Sequence, residues 1–342
     1  MIPRNCLAIR KRRAAATVVG GLGLMLAAPG CGGGVLDAGH DEPHGPLPVD
    51  ERNPLILDND AWHDNWQGEY AMLLANKGTA RLLAIIASDS RYWPDVNTNV
   101  TGWNNMVTAA RSSGLKNIPD VTASAGAPLT RPSDGVIENT VSNNSAGGNL
   151  IVELSRQHGL KSRPLVVVTG AALTNLAEAY LLDRSVVERV VVVSSLGSYS
   201  EPNGIMSGPN GDLDPWANWI VAQRFTYVQI SAYYGQTEDV AETEIMNLPK
   251  NPFGTWMADK QPGIFGIPLA SDQVGVLSVT MRDFVRKIHK TSPDPTMPFD
   301  AGQGLQLRPD PAGNTWTVSE IAGPLAKAAL WQMLLAPDTF AP

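Results

Sequence analysis

From residue 54 onward, short apolar runs alternate with longer amphipathic ones. Leu55–Leu57, Leu82–Ala87, "PLVVVTG" (164–170), "VERVVVVSS" (187–195) and "TYVQIS" (226–231) are apolar stretches of strand length. Runs without polar alternation are the pattern of strands covered on both faces. "DVTASAG" (120–126) is a further strand candidate. Between them, Gly68–Asn76, "WNNMVTAARSSG", "GGNLIVELSRQHG", "LTNLAEAYLLD" and "DPWANWIVAQ" carry apolar residues at helical spacing. Lys77-Gly78 supplies a helix stop, and Pro215 fits a first helical turn. The β-α-β-α order predicts an α/β fold: a mainly parallel central sheet with helices on both faces, a Rossmann-like core. The last third is less regular. Residues 272–290 and 320–335 read as helical, with a hairpin-like insertion at 306–318 between them.

The first 52 residues change the picture. Arg4, Arg10, Lys11, Arg12 and Arg13 precede an apolar stretch, Ala14–Ala28, of the length of a secretory core and short for a membrane span. Pro29 and Gly30 then lead to Cys31, so residues 1–31 read as a signal peptide with a lipobox-like end and Cys31 as the lipidated residue. Residues 32–52 are rich in Gly, Pro and acids and read as a flexible linker, leaving 53–342 as one domain. The expected location is therefore exported, periplasmic or on the cell surface of a bacterium, with the lipid as the membrane link. Residues 1–30 hold five of the 26 basic residues and none of the 33 acidic ones, so the remainder carries a formal charge of −12. That balance argues against a nucleic-acid partner. Cys6 and Cys31 are the two cysteines, so the domain has no disulfide and rests on its core.

In open parallel sheets, ligands sit beyond the carboxyl ends of the strands. The polar residues there are Asp58, Asp60 and Asp64 after the first strand, Ser88 and Asp89 after the second, Thr169 and Gly170, Ser194 and Ser195, then Asn210 and Asp214. Nearly all are oxygen donors, and like charges crowded together call for a cation or a shared proton. A hard cation, Ca²⁺ before Mg²⁺, suits them, whereas no Cys–His zinc pattern exists. Helix capping alone needs fewer carboxylates than three.

"LILDNDAWHDN" (55–65) resembles the D-x-D-x-x-x-D-D signature of the inosine–uridine-preferring nucleoside hydrolases, and the resemblance continues through "ARLLAIIASDS", "NIPDVTASAGAPLTRP", "VVVTGAALTNLAEAYLLDRSVVERVVVVSSLG", "NGDLDPWAN" and "SDQVGVL". It implies a nucleoside-hydrolase-like fold and a hydrolase cleaving the N-glycosidic bond of a ribonucleoside or related N-ribosyl compound, with Ca²⁺ as cofactor. By the same resemblance Asp60 is the catalytic carboxylate and a metal ligand. Asn65, the backbone carbonyl of Gly170 (or Thr169) and Asp272 complete the metal set, and Asp64, Asn203 and Asn210 hold the ribose.

Two positions depart from the family pattern. Asn65 stands where the signature has its fourth aspartate, which removes one charge and one contact from a cation. Ser271 replaces a histidine that protonates the leaving base in many members. These departures keep two alternatives open: a catalytically impaired relative that binds a sugar or nucleoside at the cell surface, and a D-x-D-type phosphatase. The expected partner is a small-molecule nucleoside or N-ribosyl substrate, and assembly into a homo-oligomer stays open.

Overall fold

The structure is a computed structural model. It describes residues 45–340 apart from 51, 61–65, 90–92, 125, 196–198, 201–208, 231–237, 239, 261–273, 295–304 and 337. The described residues fall within one unit, Asp41–Pro342. Cys31 and the expected signal peptide lie outside them, as do Asp64, Asn65, Asn203, Ser271 and Asp272.

The first apolar run forms β1 (Pro54–Asn59) and is followed by α1 (Gln67–Lys77), β2 (Arg81–Ser88), α2 (Val96–Ser112) and β3 (Val121–Ser124). The chain continues through α3 (Ala146–His158), β4 (Leu165–Thr169), α4 (Thr174–Leu182), β5 (Val190–Ser195) and the two-residue β6 (Tyr199–Ser200). Then come α5 (Pro209–Leu213), α6 (Pro215–Arg224), β7 (Thr226–Ile230), α7 (Glu242–Met246), α8 (Pro252–Lys260) and α9 (Val274–Thr280). The final elements are β8 (Val285–Pro293), β9 (Gln306–Pro309), β10 (Thr315–Ile321) and α10 (Pro324–Leu335). One sheet contains all ten strands in the order β3-β2-β1-β4-β5-β7-β10-β8-β9-β6. The run from β3 to β10 is parallel, and β8 is antiparallel to both β10 and β9. Among the described residues, no helix is long and apolar enough to cross a membrane.

The sheet is sandwiched as its sequence pattern requires. Leu55, Leu57, Val166, Val168, Val191 and Val193 pack on one face with residues of α1, α2, α8, α9 and α10. Their sequence neighbours Ile56, Leu165, Val167, Val190 and Val192 pack on the other with α3, α4 and α6. Strict alternation of faces along each strand explains why these runs have no polar positions.

Two expectations change. Residues 272–290 contain a short helix and then a strand, not one helix: the chain leaves α9 at Thr280 and pairs as β8 with β10. Phe284, Val285 and Ile288 mimic helical spacing, but the pairing is interrupted by register shifts opposite Val318, Glu320 and Ile321, so its apolar positions do not alternate cleanly. His289 accordingly sits in a strand. The insertion at 306–318 contributes β9 and β10, but β8 lies between them, so they do not pair as a hairpin. At the other end, Leu47 and Val49 are buried and join the apolar cluster that contains Leu55 and Leu57.

Candidate functional site

β1 ends in the middle of the parallel half, flanked by β2 and β4, and delivers Asp58, Asn59 and Asp60 to the carboxyl edge of the sheet. Asp58 is paired with Thr169 across β4, and the Gly170 amide donates to the Asp58 carbonyl at 3.0 Å. The β1 and β4 ends are thus locked together at the residues expected to hold a cation. Asn210, in α5, donates from Nδ2 to the Ser195 carbonyl at 2.8 Å, which ties it to the end of β5 on the same edge. Asp58, Asp60, Thr169, Gly170 and Asn210 therefore share one edge, as the sequence predicts. Asp64, Asn65, Asn203 and Asp272 lie outside the described residues.

Asp58 is fully buried, and its partners are neutral. Ser88 Oγ donates to its Oδ1 at 2.5 Å, and Asn175 Nδ2 reaches both carboxylate oxygens at 3.2 Å. Asn175, in the first turn of α4, also donates to Ser88 Oγ at 3.0 Å and accepts from Ser124 Oγ at 2.7 Å. Ser124 Oγ in turn accepts the Gly147 amide at 2.9 Å, at the start of α3. A continuous chain of hydrogen bonds thus runs from α3 through β3 and α4 to Asp58. Burial pushes the Asp58 carboxyl up to about 6; the bonds from Ser88 and Asn175 pull it back, and the Asp60 charge raises it further. Sequence reading placed Ser88 at a strand end but passed over Asn175 and Ser124. The signal for Asn175 was an amide inside an apolar helical run, and its partners lie up to 117 residues away.

Asp60 is 4 % exposed. Two carboxylates at one buried edge, one of them held by uncharged donors alone, make a site suited to a hard cation. Gly170 adds a cradle: a Cβ there would lie 2.8 Å from Asn59 Nδ2, so only glycine allows β4 to turn this close to β1. Among the described residues, no cluster of three or more His, Cys, Asp or Glu side chains forms a metal site. Asp58 and Asp60 offer carboxylate oxygens, the donor type that a hard cation takes.

Other polar residues near the edge are structural. Asp89 Oδ1 accepts the Gly126 amide at 2.9 Å, so this oxygen fixes the turn after β3. Asp214 is the N-cap of α6: it accepts from Ala217 N at 3.0 Å, Leu129 N at 2.9 Å and Thr174 Oγ1 at 2.8 Å, joining three segments. Burial raises its pKa despite these bonds. Glu178 is fully buried and accepts from Ser142 Oγ and the amides of Asn143 and Asn144, holding the loop before α3. Trp66 is fully buried and meets Trp331 edge-on at 5.5 Å, so it is a core residue.

The fold has counterparts of known structure: it is that of the nucleoside hydrolases. An inosine–guanosine nucleoside hydrolase aligns with TM-score 0.62 at 14 % identity, over 83 % of this chain and 98 % of its own. The inosine–uridine preferring nucleoside hydrolase of Bacillus anthracis aligns with TM-score 0.59 at 13 % identity, over 82 % and 99 %. The type III effector protein XopQ, in a structure complexed with adenosine diphosphate ribose, aligns with TM-score 0.52 at 14 % identity, over 86 % and 95 %. No protein-family model matches the sequence. No curated protein matches it either.

Proposed function

We propose that this chain hydrolyses the N-glycosidic bond of a ribonucleoside or related N-ribosyl compound, with Ca²⁺ as cofactor. The observation that carries the reading is the pair of buried carboxylates, Asp58 and Asp60, at the carboxyl edge of a sheet with the nucleoside hydrolase fold. The XopQ structure, complexed with adenosine diphosphate ribose, extends the ligand class beyond simple nucleosides.

In this reading Asp60, Asn65, Asp272 and the carbonyl of Gly170 hold the cation. When bound, it would acidify a water and favour its attack near neutral pH. Asp60 accepts the proton of the attacking water as the bond to the base breaks through an oxocarbenium-like state. Asp64, Asn203 and Asn210 grip the ribose hydroxyls and convert binding into orientation. The Asn210 Nδ2 bond to the Ser195 carbonyl restrains this side chain, which supports the reading. Asp58 lends negative charge to the same edge and is held rigid by Ser88 and Asn175. With Ser271 in place of a histidine, departure of the base relies on water or on another group, so substrates with good leaving groups should turn over fastest.

Release of free ribose from a panel of purine and pyrimidine nucleosides, with and without Ca²⁺, tests the reading. Wild type should release ribose in a Ca²⁺-dependent way, and Asp60→Ala should lose at least ~10²-fold. Ligand uptake by calorimetry with no ribose from any substrate would favour the binding-only alternative that Asn65 suggests. We further propose an exported lipoprotein anchored at Cys31; Cys31→Ser should move the protein from the membrane to the soluble fraction.

A further inference from the structure

On the face of the sheet opposite Asp58, β1 ends in a polar residue where its register calls for an apolar one. Leu55 and Leu57 belong to the core of that face, and Asn59 follows in the same alternation. Asn59 is fully buried, as is Gln67 in the first turn of α1. Asn59 Nδ2 donates to Gln67 Oε1 at 2.5 Å. The bond bridges the two ends of the connection that carries Asp60. The remaining polar atoms of the pair, Asn59 Oδ1 and Gln67 Nε2, have no hydrogen-bond partner among the described residues, and neither does Ser195 Oγ nearby. A Cβ added to Gly275 would lie 3.8 Å from Ser195 Oγ and 3.9 Å from Gln67 Nε2, which places both around one point beneath α9.

Each buried polar atom left unpaired destabilises the fold, whereas an apolar pair of the same shape is neutral or better. The surroundings, Leu57, Val168 and Val193, would accept such a pair. A polar pair retained at this cost has to supply something other than stability. Its neighbours show what: Asn59 also forms the wall against which Gly170 turns, so one side chain touches both ends of the β1–α1 connection and the β4 turn. The connection is pinned at its exit as well. Trp66 is buried with φ 75, a left-handed backbone that is strained for a bulky residue.

We propose that the buried Asn59–Gln67 amide pair is a positioning device that fixes the Asp60-bearing end of β1 against the Gly170 turn. The inference rests on the reading of Asp60 and Gly170 as cation-holding groups. It assigns to two fully buried amides the task of setting the distance between those groups.

The test replaces the pair by apolar residues of similar size, Asn59→Leu with Gln67→Met. Three quantities are read: the unfolding midpoint, the hydrogen exchange rate of the Gly170 amide, and Ca²⁺ affinity by calorimetry. A midpoint equal to wild type or higher, with Gly170 exchange at least ~10-fold faster and Ca²⁺ bound at least ~10-fold more weakly, is the expected result. Unchanged exchange and affinity would overturn the proposal and leave the pair as packing. If the double variant does not fold, Gln67→Met alone carries the same readouts. If wild type itself binds no Ca²⁺, the cation reading of the site fails, while Gly170 exchange still decides whether the amide pair holds the turn.

Discussion

Gly147→Ala should destabilise this protein, although the substitution ordinarily strengthens a helix. Gly147 is the second residue of α3, after the Ser145 cap, where alanine would be expected to gain up to ~1 kcal/mol. The methyl group has nowhere to go. It would lie 2.5 Å from Asn175 Cγ and 2.6 Å from Asn175 Oδ1. Asn175 is 3 % exposed and cannot swing into solvent. Displacing it breaks its bond from Ser124 and its bonds to Ser88 and Asp58. Overpacking of this kind costs ~1–3 kcal/mol, and stripping a buried carboxylate of donors costs ~1–3 kcal/mol more. After the helical gain, a net loss of about 1–5 kcal/mol remains, a drop of roughly 2–10 °C in Tm for a domain of this size. Urea and thermal unfolding measure it. The double variant Gly147→Ala/Asn175→Ala should be less destabilised than the two single losses combined, because the smaller side chain relieves the overlap. A Gly147→Ala protein as stable as wild type, or more so, would refute the reasoning and show that Asn175 is not locked.

Three further outcomes are expected. Asp214→Asn turns an acceptor oxygen into a donor at a group that receives three hydrogen bonds; urea unfolding should show a loss of ~2–4 kcal/mol, and a loss below ~0.5 kcal/mol would contradict its joining role. Asp183 has its pKa lowered to about 2: burial raises it, but the Ser185 hydroxyl and amide and Arg156 outweigh that. Because its folded pKa lies below the unfolded value, its contribution is complete above pH ~4 and is lost as pH falls toward 2; with Arg156 largely in solvent this amounts to ~1–2 kcal/mol, so wild type should lose that much more than Asp183→Asn between pH 5 and 2 in urea titrations. Asn65→Asp should tighten Ca²⁺ binding by at least ~10-fold in calorimetry, and an unchanged affinity would remove Asn65 from the ligand set.

The parallel strands were legible because burial on both faces leaves no choice of residue: "PLVVV" and "VVVV" became β4 and β5. Gly78 and Pro215 were equally readable, since helix ends are local chemistry and need no knowledge of the fold, whereas Asp214 reads as a site carboxylate and is the cap of α6. β8 was not legible. Its bulged pairing spaces Phe284, Val285 and Ile288 as a helix would, and its partner β10 lies further along the chain. The candidate site divides the same way. Asp58 and Asp60 stand together in sequence and were visible there. The groups that restrain Asp58 come from positions 88 and 175, and those that brace Asn59 from 67 and 170, in an order set only by the strand crossovers.

β1 lies between β2 and β4, but these neighbours reach it at very different times. As the chain grows from its N-terminus, β2 is available almost at once, whereas Val166–Thr169 follows more than a hundred residues later. Until then one edge of β1 is an unpaired row of amides and carbonyls on a strongly apolar strand, open to pairing with another molecule. Contacts this far apart in sequence form slowly. The bracing of the carboxylate pair by Gly170 and Asn175 is therefore completed only when the second half of the sheet pairs with the first, and a truncated or stalled chain would present a sticky edge in place of a site.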